Sequence, residues 1–266
     1  MKTRLVIFDW AGTTVDYGCF APVNAFDRAF RECGVEPTVD EIRAPMGMLK
    51  RDHIRTMLQM PRLNAQWVQQ HHIEPDNAAV EAVYHVFEKS LMQSLADYAT
   101  PKPDTLETVE KLRAMGLQIG STTGYTDAMM AIVTRRAAEQ GYAPDAWFSP
   151  DAVGGLGRPY PYMIYENMRR FRIASVDEVV KIGDTVADVR EGKQAGVRSL
   201  GVLEGSSVLG LTQAEYEALA DAQREAALEK GRQKLLRAGA DAVLRNLTEL
   251  PAWLEENDST DSSVHI

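Results

Sequence analysis

The sequence predicts an α/β fold: a doubly wound, Rossmann-like parallel sheet interrupted early by an all-α insertion. Short apolar runs, Leu5-Val6-Ile7-Phe8, Leu117 to Thr122, Val179-Val180-Lys181-Ile182 and Val197 to Val202, are separated by helical periodicities beyond Thr100. The first run, Leu5 to Phe8, is continuous rather than alternating, as in a strand buried on both faces. From Ala21 to Tyr98 the patterning is helical, with no convincing strand.

Leu5 to Phe8 stops at Asp9 and a glycine turn, so its C-terminal end presents Asp9 to the crevice where such sheets bind ligands. Pro22 suits a first helical position, and Ala25, Phe26, Ala29 and Phe30 form an apolar face ending at Gly34. Leu49, Ile54, Met57 and Leu58 mark a second helix; Val80, Val83, Tyr84, Phe87, Leu91 and Leu95 mark a third. Asp104 reads as the N-cap of a helix closed by Gly116, and Thr126 as the N-cap of one closed by Gly141. Ala146-Trp147-Phe148 continues the alternation, followed by a helix from Met163 to Phe171. Thr212 to Leu236 predicts one or two charged helices, Ala240 to Leu244 an edge strand, and the segment through Trp253 a last helix. The expected division is a sheet domain over 1–18 and 100–256, a helical cap over 19–99, and a polar disordered tail over 257–266. Gly and Pro at the two crossings, Asp16 to Gly18 and Ala99 to Pro103, suit hinges.

Composition narrows the function. A formal net charge of −9 over 266 residues argues against nucleic acid as partner. Any phosphate site therefore needs a metal ion, a few placed Arg or Lys side chains, and backbone N–H groups. Two cysteines, Cys19 and Cys33, give no disulfide framework. Asp9 breaks the first apolar run too early for a signal peptide, and no stretch approaches membrane-spanning length. A cytoplasmic protein is expected.

Asp9 alone would be read as a turn-capping residue. Thr122-Thr123-Gly124, Arg158-Pro159-Tyr160-Pro161 after a Gly-rich loop, and Gly183-Asp184-Thr185 with Asp188 change that reading. In this order the four groups resemble the motifs of the haloacid dehalogenase-like phosphotransferases. The resemblance implies that Asp9 attacks phosphorus, that Thr123 and Arg158 hold phosphate oxygens, and that Asp184 helps bind Mg²⁺. Carboxylate attack on a phosphoryl dianion needs charge neutralisation, and a hard cation takes oxygen ligands such as Asp9, Asp184 and the Ala11 backbone carbonyl. Asp188 reads either as an outer support of the metal or as a solvated helix residue.

One position departs from the common pattern. Most family phosphatases have a second aspartate, a general acid, where this chain has Ala11 in Asp9-Trp10-Ala11-Gly12-Thr13. Ala11 cannot protonate a leaving oxygen, so the enzyme is either weakened or its substrate does not leave through oxygen. Cleaving a C–P bond would expel a carbanion unless a lysine first condenses with an adjacent aldehyde. Lys50 in Met46-Gly47-Met48-Leu49-Lys50-Arg51-Asp52-His53 is the candidate, with His53 one turn away as a candidate proton shuttle. A lone lysine is ordinarily a solvated charge, and a Schiff-base lysine must be desolvated or sit beside a cation.

With Phe8 to Cys19, Met46 to His53, Gly120 to Thr126 and Gly157 to Pro161, the chain resembles the phosphonoacetaldehyde hydrolase (phosphonatase) family through sheet domain and cap alike. That resemblance implies Asp9 as nucleophile, Lys50 as imine former, Mg²⁺ on Asp9, Asp184 and the Ala11 carbonyl, and a homodimer releasing acetaldehyde and phosphate. It places Cys19, Met46, Gly124 and Tyr125 about the substrate; as single residues, Cys19, Met46 and Tyr125 are equally explained by packing. The alternatives are a phosphatase or phosphomutase acting on a phosphate ester, which would want an acid at position 11, and a non-catalytic relative that kept the fold.

Overall fold

The structure, a computed structural model, describes residues 2–260. Strands β1 (Leu5–Phe8), β2 (Gln118–Ser121), β3 (Val179–Gly183), β4 (Arg198–Val202) and β5 (Ala242–Leu244) form one parallel sheet in the order β2-β1-β3-β4-β5. Leu5 and Ile7 pack into one apolar cluster with Ile164 and Met168, while Val6 and Phe8 point into the main core on the other face. That two-sided burial is why the strand reads as an unbroken apolar run. The chain leaves β1 for β2 on one side and resumes at β3 on the other. The topological switch point therefore lies between β1 and β3, with Asp9 and Asp184 just past their C-terminal ends.

Between β1 and β2 the chain inserts helices α1 (Phe20–Glu32), α2 (Val39–Arg43), α3 (Lys50–Leu58), α4 (Pro61–His71) and α5 (Asn77–Ser94). Among the described residues this insertion contains no strand. Its centre is Phe26, stacked on Phe87 at 4.1 Å and on the His53 imidazole at 3.9 Å. Burying aromatic and aliphatic side chains there stabilises the segment by roughly 1.5–3 kcal/mol each. The two crossings run side by side: Val15 bridges Pro101, and the Lys102 N–H donates to the Thr14 carbonyl at 2.8 Å.

The remaining helices are α6 (Thr105–Ala114), α7 (Asp127–Ala138), α8 (Tyr162–Phe171), α9 (Val186–Ala195), α10 (Gln213–Ala218), α11 (Asp221–Arg237) and α12 (Leu250–Thr260). No helix among the described residues is long and apolar enough to cross a membrane.

Four local expectations are corrected. Pro22 occupies the third position of α1, not the first, because Cys19 is the N-cap. Asp104 precedes α6 but makes no side-chain cap; its carboxylate accepts the Leu247 N–H at 2.8 Å instead. Ala146-Trp147-Phe148 forms no strand, only a bridge from Phe148 to Thr122 beside the sheet edge. The disordered tail expected from residue 257 is helical through Thr260, because Asp258 reaches back to the first strand: it accepts the Thr3 N–H at 2.8 Å and Arg198 Nη2 at 2.9 Å. Residues 261–266 lie outside the described residues.

Candidate active site

The turn after β1 is shaped to deliver Asp9. Thr13, Thr14 and Val15 N–H groups all point at the Trp10 carbonyl, and Thr14 Oγ1 donates to the Asp9 carbonyl at 3.0 Å. Gly12 sits at φ +87° against Asp184, where a Cβ would come within 2.3 Å of Oδ2. Only glycine lets this turn close onto β3.

Asp9, Asp184 and Asp188 offer carboxylate oxygens within 4.8 Å of one another, all buried. Burial first, and then the neighbouring carboxylates, raise the pKa of Asp9 and of Asp184. Asp9 is compensated by Arg158, whose Nη2 donates to Oδ1 at 2.6 Å. Asp188 lies 3.0 Å from Arg158 Nη1 and 2.9 Å from Lys181 Nζ. Burial opposes its ionised form, yet those two cations hold its carboxyl below the usual range. Asp184 has no cation among the described residues within ion-pair distance; its oxygens accept Thr13 Oγ1 at 3.2 Å and the Ser207 N–H at 2.6 Å. A fully buried carboxylate facing two others either holds a proton or pairs with a cation. A hard divalent ion on Asp9 and Asp184 fits that donor set.

Arg158 is held by more groups than the sequence suggested. Its Nε donates to Glu191 Oε2 at 3.0 Å and its Nη2 to Thr122 Oγ1 at 3.0 Å, while Thr122 Oγ1 donates to the same Glu191 oxygen at 2.9 Å. Burial disfavours the guanidinium, but Asp188, Asp9 and Glu191 around it more than restore its charge. Lys181 and Glu191 are two charged site residues that sequence reasoning missed. A lysine inside the apolar run Val179 to Ile182 was the available signal, together with Glu191 one helical turn beyond Asp188.

Across from Asp9, the first turn of α3 supplies Lys50. The side chain is 8% exposed, and its Nζ lies 5.1 Å from the Tyr125 ring centroid and 6.0 Å from that of Phe26. No carboxylate among the described residues comes within ion-pair distance of it. Burial lowers its pKa; Cys19 and Asp9 pull the other way, and Arg158 adds to the lowering.

Lys50 lines one cavity of about 30 Å³ with Asp9, Ala11, Cys19, Met46, Thr123, Gly124, Tyr125 and Arg158; Pro22, Gly47 and Thr185, not anticipated, complete the wall. Burial keeps the Cys19 thiol and the Tyr125 phenol protonated. Asp184 and Asp188 stand behind that wall. His53 does not reach the cavity: its Nε2 lies 2.9 Å from the Ile42 carbonyl, and its ring stacks on Phe26. Burial, and then Lys50, hold that imidazole neutral.

Comparison with known proteins agrees with this arrangement. The family model described as haloacid dehalogenase-like hydrolase matches residues 3–196. The chain is 47% identical to the phosphonoacetaldehyde hydrolase of Lysinibacillus sphaericus, over 94% of this chain and 93% of that one. It is 46% identical to the enzyme of the same name from Parabacteroides distasonis, over 98% and 99%. The crystal structure of a phosphonoacetaldehyde hydrolase-like protein from Oleispira antarctica superposes with a TM-score of 0.95 at 30% identity, covering 100% of this chain and 96% of that one. The chain is a hydrolase and belongs to the phosphonoacetaldehyde hydrolase family of the haloacid dehalogenase-like hydrolases.

Proposed function

We propose that the chain hydrolyses the C–P bond of phosphonoacetaldehyde to acetaldehyde and phosphate through a Lys50 imine and an Asp9 aspartyl-phosphate. The observation that carries this reading is the pairing of a buried, carboxylate-free Lys50 ammonium with Asp9 in the wall of one cavity, beside Ala11 rather than an acid. A phosphatase acting on esters has no use for such an amine and lacks its leaving-group acid here.

The neutral Lys50 amine adds to the aldehyde carbon and expels water, leaving a protonated imine. An Asp9 oxygen then attacks phosphorus; the C–P bond breaks, and its electron pair enters the new C–C double bond of an enamine. Arg158 and Thr123 hold phosphoryl oxygens through that displacement. Mg²⁺ held by Asp9, Asp184 and the Ala11 carbonyl would neutralise phosphoryl charge and orient the carboxylate. Protonation of the enamine carbon and addition of water to the imine release acetaldehyde and free Lys50. A second water cleaves the aspartyl-phosphate. His53 Nε2 is taken by Ile42, which leaves Nδ1 as the ring nitrogen for any proton transfer beside Lys50. The same reading takes the protein as a cytoplasmic homodimer, which sedimentation in solution would test.

Phosphate release from phosphonoacetaldehyde, with and without Mg²⁺, tests the reading in wild type and Lys50→Arg. We expect metal-dependent release by wild type and none by the variant. Undiminished release by Lys50→Arg, or turnover of simple phosphate esters alone, contradicts it.

A further inference from the structure

The active-site cavity is walled by the helical segment, with Cys19, Pro22, Met46, Gly47 and Lys50, and by the sheet domain, with Asp9, Thr123, Arg158 and Thr185. The structure is therefore of a form in which the two are closed against each other around that cavity. The stretch that docks the helical segment on the sheet domain immediately precedes Lys50. Gly47 sits at φ +92° against the start of α9, where a Cβ would fall 2.4 Å from Thr185 Oγ1 and 2.8 Å from Ala187 Cβ. One turn earlier, at the end of α2, Arg43 Nη1 donates to the Gly18 carbonyl at 2.9 Å and reaches the Ser207 carbonyl at 3.4 Å. Its Cζ stands 5.0 Å from the Phe20 ring centroid.

We propose that Arg43 is the latch of the closed form, a positioning residue that fixes Lys50 over Asp9 and ties closure to the seat of Asp184. The tie runs through one residue. Ser207 accepts from Arg43 with its carbonyl and hydroxyl, and its own N–H donates to Asp184 Oδ2 at 2.6 Å. The same guanidinium grips the first crossing at Gly18, whose N–H is bound to the Gly205 carbonyl at 2.7 Å. Linker, cap and the 205–207 loop thus share a single donor group.

Arg43 Nε and Nη2 are buried without a protein partner among the described residues, beside a cavity of about 20 Å³ lined by Thr185, Ser207 and Lys234. This inference rests on the function proposed above only in its kinetic consequences.

Two variants test it, Arg43→Ala and Arg43→Lys, in full-length protein. With phosphonoacetaldehyde and Mg²⁺, Arg43→Ala is expected to lose about ten- to a hundredfold in kcat/KM, the factor for removing hydrogen bonds to a charged group, with Arg43→Lys retaining more. Guanidinium ion at non-denaturing concentration should restore part of the Arg43→Ala loss, and the Mg²⁺ half-saturation of that variant should rise. A readout that needs no turnover is amide exchange at Gly18, expected about tenfold faster in Arg43→Ala. Wild-type kcat/KM and Gly18 exchange in both variants would overturn the latch. So would equal losses in both without guanidinium rescue, which is the pattern of general damage to the fold. If wild type releases no phosphate, the functional reading fails, while Gly18 exchange still decides the latch.

Discussion

Lys50 carries a charge that burial opposes more strongly than Cys19 and Asp9 support it. Burial favours the neutral amine, so the nucleophilic form becomes abundant at lower pH than for a lysine in water, whose ordinary value is 10.5. The rate of substrate-dependent borohydride inactivation should rise with pH and reach its half-maximum below that value. A midpoint at or above it would show an ordinary surface lysine. Glu191 is the second residue to probe. Glu191→Gln keeps the shape but removes one of three carboxylates around Arg158, so we expect weaker phosphate inhibition and kcat/KM lower by about tenfold, as for losing a charge-assisted bond. Unchanged phosphate affinity would show that Asp188 and Asp9 suffice to orient Arg158. Asp9, Arg158 and Asp184 were legible because they stand in ordered motifs that resemble those of a known family. Glu191 was not, since an acid on α9 looks like a solvated face until Arg158 is folded against it. For His53, helical spacing gives its nearness to Lys50, but only packing reveals that its Nε2 meets the Ile42 carbonyl.

The helices and strands follow the sequence closely where a local rule decides and drift where a tertiary contact does. Thr126 caps α7 as its chemistry predicts, accepting the Met129 N–H at 3.4 Å. Asp104 abandons its cap for Leu247, which no local pattern encodes. At the first crossing Asp16 takes the two leading amides of α1, those of Phe20 and Ala21, each at 2.9 Å. Burial pushes its carboxyl up to about 7, against those hydrogen bonds. A raised carboxyl means that the folded protein holds a proton the unfolded chain has lost. The stability Asp16 contributes is therefore full below its ordinary 3.8 and is lost as pH rises through about 7. Denaturant unfolding at about pH 5 and about pH 8 should show a smaller fall for Asp16→Asn than for wild type. An identical fall in both would remove Asp16 as the cause.

Across the whole molecule, the order β2-β1-β3-β4-β5 brings residues 9, 158 and 184 to one crevice. Strand–helix alternation announced the sheet, and the early change of period announced the insertion; the closeness of Lys50 to Asp9 is a property of their docking that no periodicity contains. The last described helix, α12, is also tied in. Burial disfavours the Asp258 carboxylate, but the Thr3 amide and Arg198 outweigh that and lower its pKa. Its contribution is present above the ordinary carboxylate value and lost as pH falls. Asp258→Ala should cost about 1–3 kcal/mol, measured by urea unfolding near neutral pH; no change would mean that α12 docks by its apolar face alone. The account as a whole depends on the lysine of the helical segment bonding to the carbon of a substrate whose phosphorus goes to Asp9. Borohydride reduction in the presence of phosphonoacetaldehyde, followed by peptide mass mapping, reads this directly. The predicted result is an ethyl adduct on Lys50, absent without substrate; phosphate release with no adduct on that residue would contradict the account.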